Sequence, residues 1–199
     1  MTKVVATITT SLDGYIAAPD DGPGRGLGDG GERLHSWVFG GHWSYEDEIR
    51  GQPSGEDAAW FERASARIGA VVAGRFTYEA ARHWGDRNPW GAPFFIVTHR
   101  PQEQPPTGEF VFVDGVAEAV AQAREAAQGD KDVSVMGGAD VIRQALSAGL
   151  VDELSIVIAP LILGAGKRLF DGFTQVLELE HLGVRQSPHA TFLDYRVKR

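Results

Sequence analysis

Lys3 to Thr9, KVVATIT, sets apolar residues against threonine in a partly alternating, β-branched run that predicts a strand. Next comes SLDGYIAAPDDGPGRGLGDGGERLH, where Gly, Asp and Pro dominate and no period holds. That predicts a long loop, and loops of this length in a compact domain usually carry function. From residue 54 the pattern becomes helical. SGEDAAWFERASARIG puts Trp60, Ala64 and Ile68 at i, i+4 and i+8, with Ser54 as a candidate N-cap and Asp57 three residues on. Short apolar runs and helical patterns then alternate. Strands are expected at Ala70 to Ala73, in PFFIVTHR up to Thr98, at Phe110 to Val113, in DVSVMGG and in VDELSIVIAPLIL. Helices are expected in TYEAARHW, in GVAEAVAQAREAAQG up to Gly129, and in ADVIRQALSAG with Gly149 as its stop. GAGKRLF reads as a turn, and Val176 to Gln186 with Thr191 to Lys198 as an antiparallel strand pair.

Strands alternating with helices imply an α/β fold, a mostly parallel sheet covered on both faces, with the terminal pair as an antiparallel edge. No repeat, linker or change of composition divides the chain, so one domain over residues 1–199 is expected. Apolar residues make up 43% of the chain, enough for a core, yet no run approaches the roughly 18 residues of a membrane span. The start, MTKVVATITTSLDGYIAAP, has no secretory apolar region, and the chain has no cysteine. Those features predict a soluble, cytoplasmic protein without disulfides or thiolate metal sites. The net charge of −8 and the lack of a basic run argue against a nucleic-acid partner, although a local basic pocket for a small phosphate stays compatible. Six histidines form no H-E-x-x-H pattern, so no metal site is expected.

The most informative stretch is VSVMGGADVIRQAL, a strand that stops at Gly137 and Gly138 and feeds a helix. The first amides of a helix lack internal partners and sit at its positive end, and glycines let a phosphate oxygen approach the backbone. Alone, such a glycine pair is as often a packing device. A second turn of this kind, VVAGRFTYE, carries Gly74, Arg75 and Thr77, and a third strand ends in Thr98, His99 and Arg100. Guanidinium groups suit phosphate, and open α/β sheets bind ligands beyond the carboxyl ends of their strands. Three such ends together could hold an extended dinucleotide. The aromatic group Trp37, Phe39, Trp43 and Tyr45 reads either as core or as a lid over a flat ring.

These motifs carry a resemblance. GRFT resembles the Gly-Arg-x-Thr motif of the dihydrofolate reductases, and VMGGADVI their later Gly-Gly turn. TSLDGYIA and GLVDELSIVIAPLILGAGKRLF resemble the opening and the C-terminal half of the reductase domain of bifunctional riboflavin-biosynthesis deaminase–reductases. The likeness spans nearly the whole chain and is weakest from Pro19 to Pro53. It implies a three-layer α/β/α dihydrofolate-reductase-like fold and an NADPH-dependent reductase, standing alone because the deaminase cysteines are missing. By the same resemblance Gly74, Arg75 and Thr77 bind cofactor phosphates, and Thr98, His99 and Arg100 surround the adenosine end and its 2′-phosphate. Gly137, Gly138, Ala139 and Val141 flank the pyrophosphate and nicotinamide. Asp13, Gly14 and Ile16 lie on the loop facing the nicotinamide. A homodimer is expected by analogy, with the strand-rich C-terminal half as interface.

Two acids are candidates for proton transfer. Asp13 follows the first strand, although Asp-Gly is also a common turn pair. Asp57 lies three residues before Trp60, and EDAAWFER resembles the acid-bearing helix of dihydrofolate reductases; it could equally be a first-turn acid serving the helix dipole. The substrate expected is a phosphorylated ribosylaminouracil pyrimidine or a pteridine of the dihydrofolate kind. The alternative is a non-catalytic nucleotide- or flavin-binding protein on the same fold. Gly26, Gly28 and Gly31 satisfy G-x-G-x-x-G, but no strand leads into them; LILGAGKRLF lacks the first glycine and the Ser/Thr of a P-loop.

Overall fold

The structure, a computed structural model, describes residues 2–47 and 51–198. Residues 48–50, within the Pro19–Pro53 segment, lie outside the described residues. The strands are β1 (Val4–Ser11), β2 (Tyr15–Ala17), β3 (Ile68–Gly74), β4 (Phe94–Val97), β5 (Val111–Val113), β6 (Asp132–Met136), β7 (Glu153–Ala159), β8 (Lys167–Arg168), β9 (Leu179–Gln186) and β10 (Thr191–Val197). The helices are α1 (Gly55–Arg67), α2 (Arg75–Ala80), α3 (Val116–Ala126) and α4 (Ala139–Ser147), with 3-10 turns at Gly31–His35 and Arg82–Asp86.

One sheet takes eight strands in the order β5-β4-β3-β6-β1-β7-β10-β9. The six from β5 to β7 run parallel, and β10 pairs antiparallel with both β7 and β9. Helices α3 and α4 cover one face over Val4, Ala6, Val72, Val133 and Val135. On the other face Tyr78, Phe110 and Phe112 pack with Phe94 and Ile96, and Trp37 and Trp60 with Val157 and Phe192. The Trp60 ring stacks on Phe192 at 5.1 Å and meets the edge of Trp37 at 5.3 Å. Each such pair adds about 0.5–1.5 kcal/mol beyond area burial, and together they pin α1 to the sheet. The alternation in β1 serves both faces: Val4 and Ala6 enter the α3/α4 core while Val5, Thr7 and Thr9 line a cleft on the other.

Several boundaries differ from the sequence reading, and packing explains them. Helix α1 stops at Arg67; Ile68 is extended and enters β3, where it pairs with Asp132 of β6. The Ser54 side chain makes no capping bond, and its carbonyl instead accepts the Ala58 N–H. Helix α3 ends at Ala126 rather than Gly129, because Ala127 turns extended against Gly69. The last hairpin opens at Leu179, leaving Val176 almost wholly exposed. TYEAARHW is helical only to Ala80. Arg82, His83, Trp84 and Asp86 then adopt positive φ, so that Trp84 packs on Phe94 and Phe110 while His83 stacks on Tyr78. Part of GAGKRLF is strand β8, paired with β2; two-residue strands carry no periodicity to read. Among the described residues no helix is long and apolar enough to cross a membrane.

At the amino end of the sheet, Glu153 accepts hydrogen bonds from Lys3 Nζ at 2.5 Å and Arg67 Nη2 at 2.8 Å, and Arg67 also binds Asp132. Burial alone would raise the Glu153 pKa, but Lys3 and Arg67 outweigh it and hold the group below its ordinary value. A carboxyl that ionises more readily in the folded state adds stability above its unfolded pKa and loses it as pH falls through the folded one. The melting temperature should therefore drop as pH is lowered from about 6 through the ordinary glutamate range. Glu153→Gln should flatten that slope; a slope identical to the parent's removes Glu153 from this account.

Candidate active site

Because β4, β3 and β6 are neighbours, the segments leaving their carboxyl ends emerge side by side. Gly74 to Thr77, Thr98 to Arg100 and Gly137 to Ala139 therefore share one end of the sheet. Gly137 and Gly138 have φ of +66° and +77°, a region that favours glycine. A Cβ on Gly137 would lie 2.7 Å from Thr77 Cγ2 and 3.0 Å from its hydroxyl, so bare backbone faces that side chain. Gly74 has a related role: a Cβ there would lie 3.0 Å from Val141 Cγ2. Both Gly74 and Val141 are buried, and they lock the two turns together rather than opening onto the cleft.

From this end a cleft of about 1720 Å³ runs along the sheet to Arg67. Thr7, Thr9, Ser134 and Ser155 form its polar floor, and Trp37, Trp60, Phe61 and Trp90 much of its wall. Trp37 is both core and wall: its ring is buried, and its Nε1–H donates to Thr9 Oγ1 at 3.1 Å. Ile16, Thr77, Gly137, Gly138 and Ala139 all line the cleft. Arg143, Lys167 and Arg168 line it too, which the sequence reading missed. The Lys167 ammonium sits 3.8 Å over the Phe76 ring and 2.6 Å from Asp21 Oδ2. Two adjacent bases in an otherwise neutral Gly-Ala-Gly turn were the available signal.

Arg75, Thr98, His99 and Arg100 are outside the cleft, on the ledge beside it. Arg75 Nε donates to Glu79 at 2.7 Å, Nη2 to Glu103 at 2.7 Å and Nη1 to Thr98 Oγ1 at 3.4 Å. Glu79 first, and Glu103 after it, raise the guanidinium pKa against the opposing effect of burial. Arg100 Nη1 is 3.4 Å from Glu103. The His99 side chain is 98% exposed, with its Nδ1 3.9 Å from Asp114 Oδ1.

The two candidate acids sit in different surroundings. Asp13 and Gly14 belong to a smaller pocket of about 250 Å³ shared with Arg168, Phe170 and Asp171. Asp13 accepts hydrogen bonds from Ser11 Oγ at 2.6 Å, Gly164 N at 2.8 Å and Leu163 N at 3.1 Å. The Ser11 bond, only partly opposed by burial, and the two amides lower its pKa to about 2. It ties the β1–β2 turn to the segment after β7. Asp57 is 2% exposed, and its Oδ1 is buried without a hydrogen-bond partner. It does not line the cleft, but Trp60 and Phe61, one helical turn on, do.

The G-x-G-x-x-G glycines have a packing explanation. A Cβ on Gly28 would lie 2.3 Å from the Ala18 carbonyl oxygen, so that glycine permits close approach of two loop strands. Among the described residues, no three histidine or carboxylate side chains are grouped to share a metal ion.

Comparison with known proteins agrees with this architecture. The uncharacterized protein YwjB of Bacillus subtilis is 24% identical over 194 residues, 97% of each chain. A putative riboflavin biosynthesis protein from Shewanella sp. PV-4 superimposes with a TM-score of 0.72 at 23% identity over the full length of both chains. A pyrimidine reductase-like protein from Corynebacterium diphtheriae gives 0.61 at 20% identity, covering 100% of this chain and 92% of that one. Dihydrofolate reductase from Enterococcus faecalis, complexed with NADP(H) and RAB-propyl, gives 0.59 at 15% identity, covering 99% and 97%. Residues 2–193 match the RibD C-terminal domain, so the chain belongs to that family and has the dihydrofolate-reductase-like fold.

Proposed function

We propose that this protein is an NADPH-dependent reductase of a small heterocycle, a phosphorylated ribosylaminouracil pyrimidine or a pteridine. The observation that carries the reading is the bare Gly137–Gly138 turn facing Thr77 at the head of a long cleft. The residues fit a dinucleotide. Gly137, Gly138, Ala139 and Thr77 offer main-chain and hydroxyl groups to the pyrophosphate, with charge from Arg143, Lys167 and Arg168. Arg75, Thr98 and Arg100 on the ledge suit the 2′-phosphate, with His99 at its solvent side. Ile16, on strand β2 and not on a loop as the sequence suggested, and Gly14, in the turn before it, are assigned to the nicotinamide side. Bound NADPH supplies a hydride.

The chain's own residues supply the rest. The cleft exceeds the roughly 300–1,000 Å³ of an ordinary small-ligand site, which leaves space for a substrate beside the cofactor. Its tryptophan wall suits a flat ring and keeps water from it. Asp57, buried behind that wall and not lining the cleft, is the acid assigned to proton delivery by way of a bridging water. Asp13, ionised and held by two amides and a serine, positions the loop and donates no proton near neutrality.

Titration with NADPH, then its consumption with a panel of pyrimidines and pteridines, tests the assignment. Binding with turnover on one of them is expected; binding with no turnover on any favours the non-catalytic alternative. Arg75→Ala should weaken NADPH more than NADH, because it removes a phosphate partner; equal losses would contradict that role. A homodimer through β9 is also proposed, since this edge strand is exposed along nearly its whole length and carries Leu182 and Val184. Sedimentation as a monomer would refute it.

A further inference from the structure

The ledge beside the cleft holds its arginines differently from a plain anion site. Arg75 and Arg100 carry two positive charges, and Glu79 and Glu103 answer with two negative ones. Each nitrogen of the Arg75 guanidinium already donates one hydrogen bond, and its Cζ lies 5.1 Å from the centre of the Phe112 ring. A 2′-phosphate seated across both Arg75 and Arg100 therefore competes with Glu103 for their donors.

The two carboxylates are not equivalent. Glu79 is one helical turn from Arg75 on α2, so it moves with the arginine. Glu103 comes from the loop after β4, its side chain 42% exposed, and bridges Arg75 to Arg100. That loop is braced in place. Gln104 accepts the Phe112 N–H at 2.9 Å and donates to the Phe112 carbonyl at 2.7 Å, as a neighbouring strand would. Glu103 is thus held where an incoming phosphate would sit, on a side chain free to swing aside.

We propose that Glu103 is a specificity-determining residue of the ledge. It competes with the 2′-phosphate for Arg75 and Arg100, and its carboxylate offers an acceptor to the 2′-hydroxyl that NADH carries in place of that phosphate. The inference rests on the reductase reading above and refines it: the protein takes both cofactors and discriminates weakly between them. Phosphate and Glu103 compete for the same guanidinium donors, so displacing Glu103 subtracts from phosphate affinity and leaves NADH untouched or slightly favoured. Exposed ion pairs of this kind each correspond to a few-fold in affinity.

The experiment compares dissociation constants of NADPH, NADH and adenosine 2′,5′-bisphosphate for the parent protein, Glu103→Gln, and Glu103→Gln combined with Arg75→Ala. The parent should bind NADPH and NADH within about tenfold of each other. Glu103→Gln should tighten NADPH and the bisphosphate by about 3- to 10-fold, with NADH unchanged or weaker, and this gain should fade at high salt. Adding Arg75→Ala to Glu103→Gln should abolish the preference that Glu103→Gln alone creates. A purely structural Glu103 would alter NADPH and NADH alike, and that result, or an unchanged ratio, overturns the inference while leaving the reductase reading intact. Failure of the parent to bind either dinucleotide overturns both.

Discussion

Replacing Asp57 by asparagine should lower turnover by about two to three orders of magnitude while leaving the protein about as stable as the parent. The two halves of this expectation come from one observation. Asp57 is buried in the first turn of α1 with an Oδ1 that no donor reaches. Such a group costs about 1–3 kcal/mol, so a purely structural role is poorly served by it. An amide of the same shape fills the same space without a carboxyl group, so folding loses little by the exchange. The proton source, however, is gone. Groups kept at the expense of stability are those that function requires. Turnover with excess NADPH and thermal melting of both proteins decide the matter. A fall in melting temperature with turnover intact would make Asp57 a helix anchor and remove it from the chemistry.

How far the sequence revealed this site depends on the range of the forces that built it. The strand–helix alternation from Ala70 to Gly149 is local, and the observed elements follow it with small shifts at their ends. The joint appearance of Gly74, Thr98 and Gly137 at one sheet end follows from parallel topology. What escaped was set by contacts between distant segments. Glu103 was an acid in a polar loop until Gln104 tied that loop to β5. Lys167 and Arg168 were bases in a turn until β8 paired with β2 across about 150 residues. The left-handed run after α2 answers to Phe94 and Phe110, and nothing in RHWGD announces it. Trp37 could be read as core or as lid, and it is buried while also forming the cleft wall.

Gly137→Val should raise the NADPH dissociation constant at least about 100-fold, or about 2.7 kcal/mol. Two effects would act on that position, and they can be separated. The first is backbone strain, since φ is +66° and a β-branched residue resists that region. The second is occupation of the space between the turn and Thr77, where even a Cβ lies 2.7 Å from Cγ2. Threonine is stiff at χ1, and turning it aside would carry its hydroxyl away from the turn. Gly149, at the other end of α4, has nearly the same φ of +65°, but a Cβ there meets nothing within 4 Å. Gly149→Val therefore reproduces the strain without the crowding. It should lower the melting temperature and leave cofactor affinity within about twofold of the parent. If Gly149→Val weakened NADPH as much as Gly137→Val, strain transmitted through α4 would account for both losses. The bare backbone opposite Thr77 would then have no claim to the pyrophosphate.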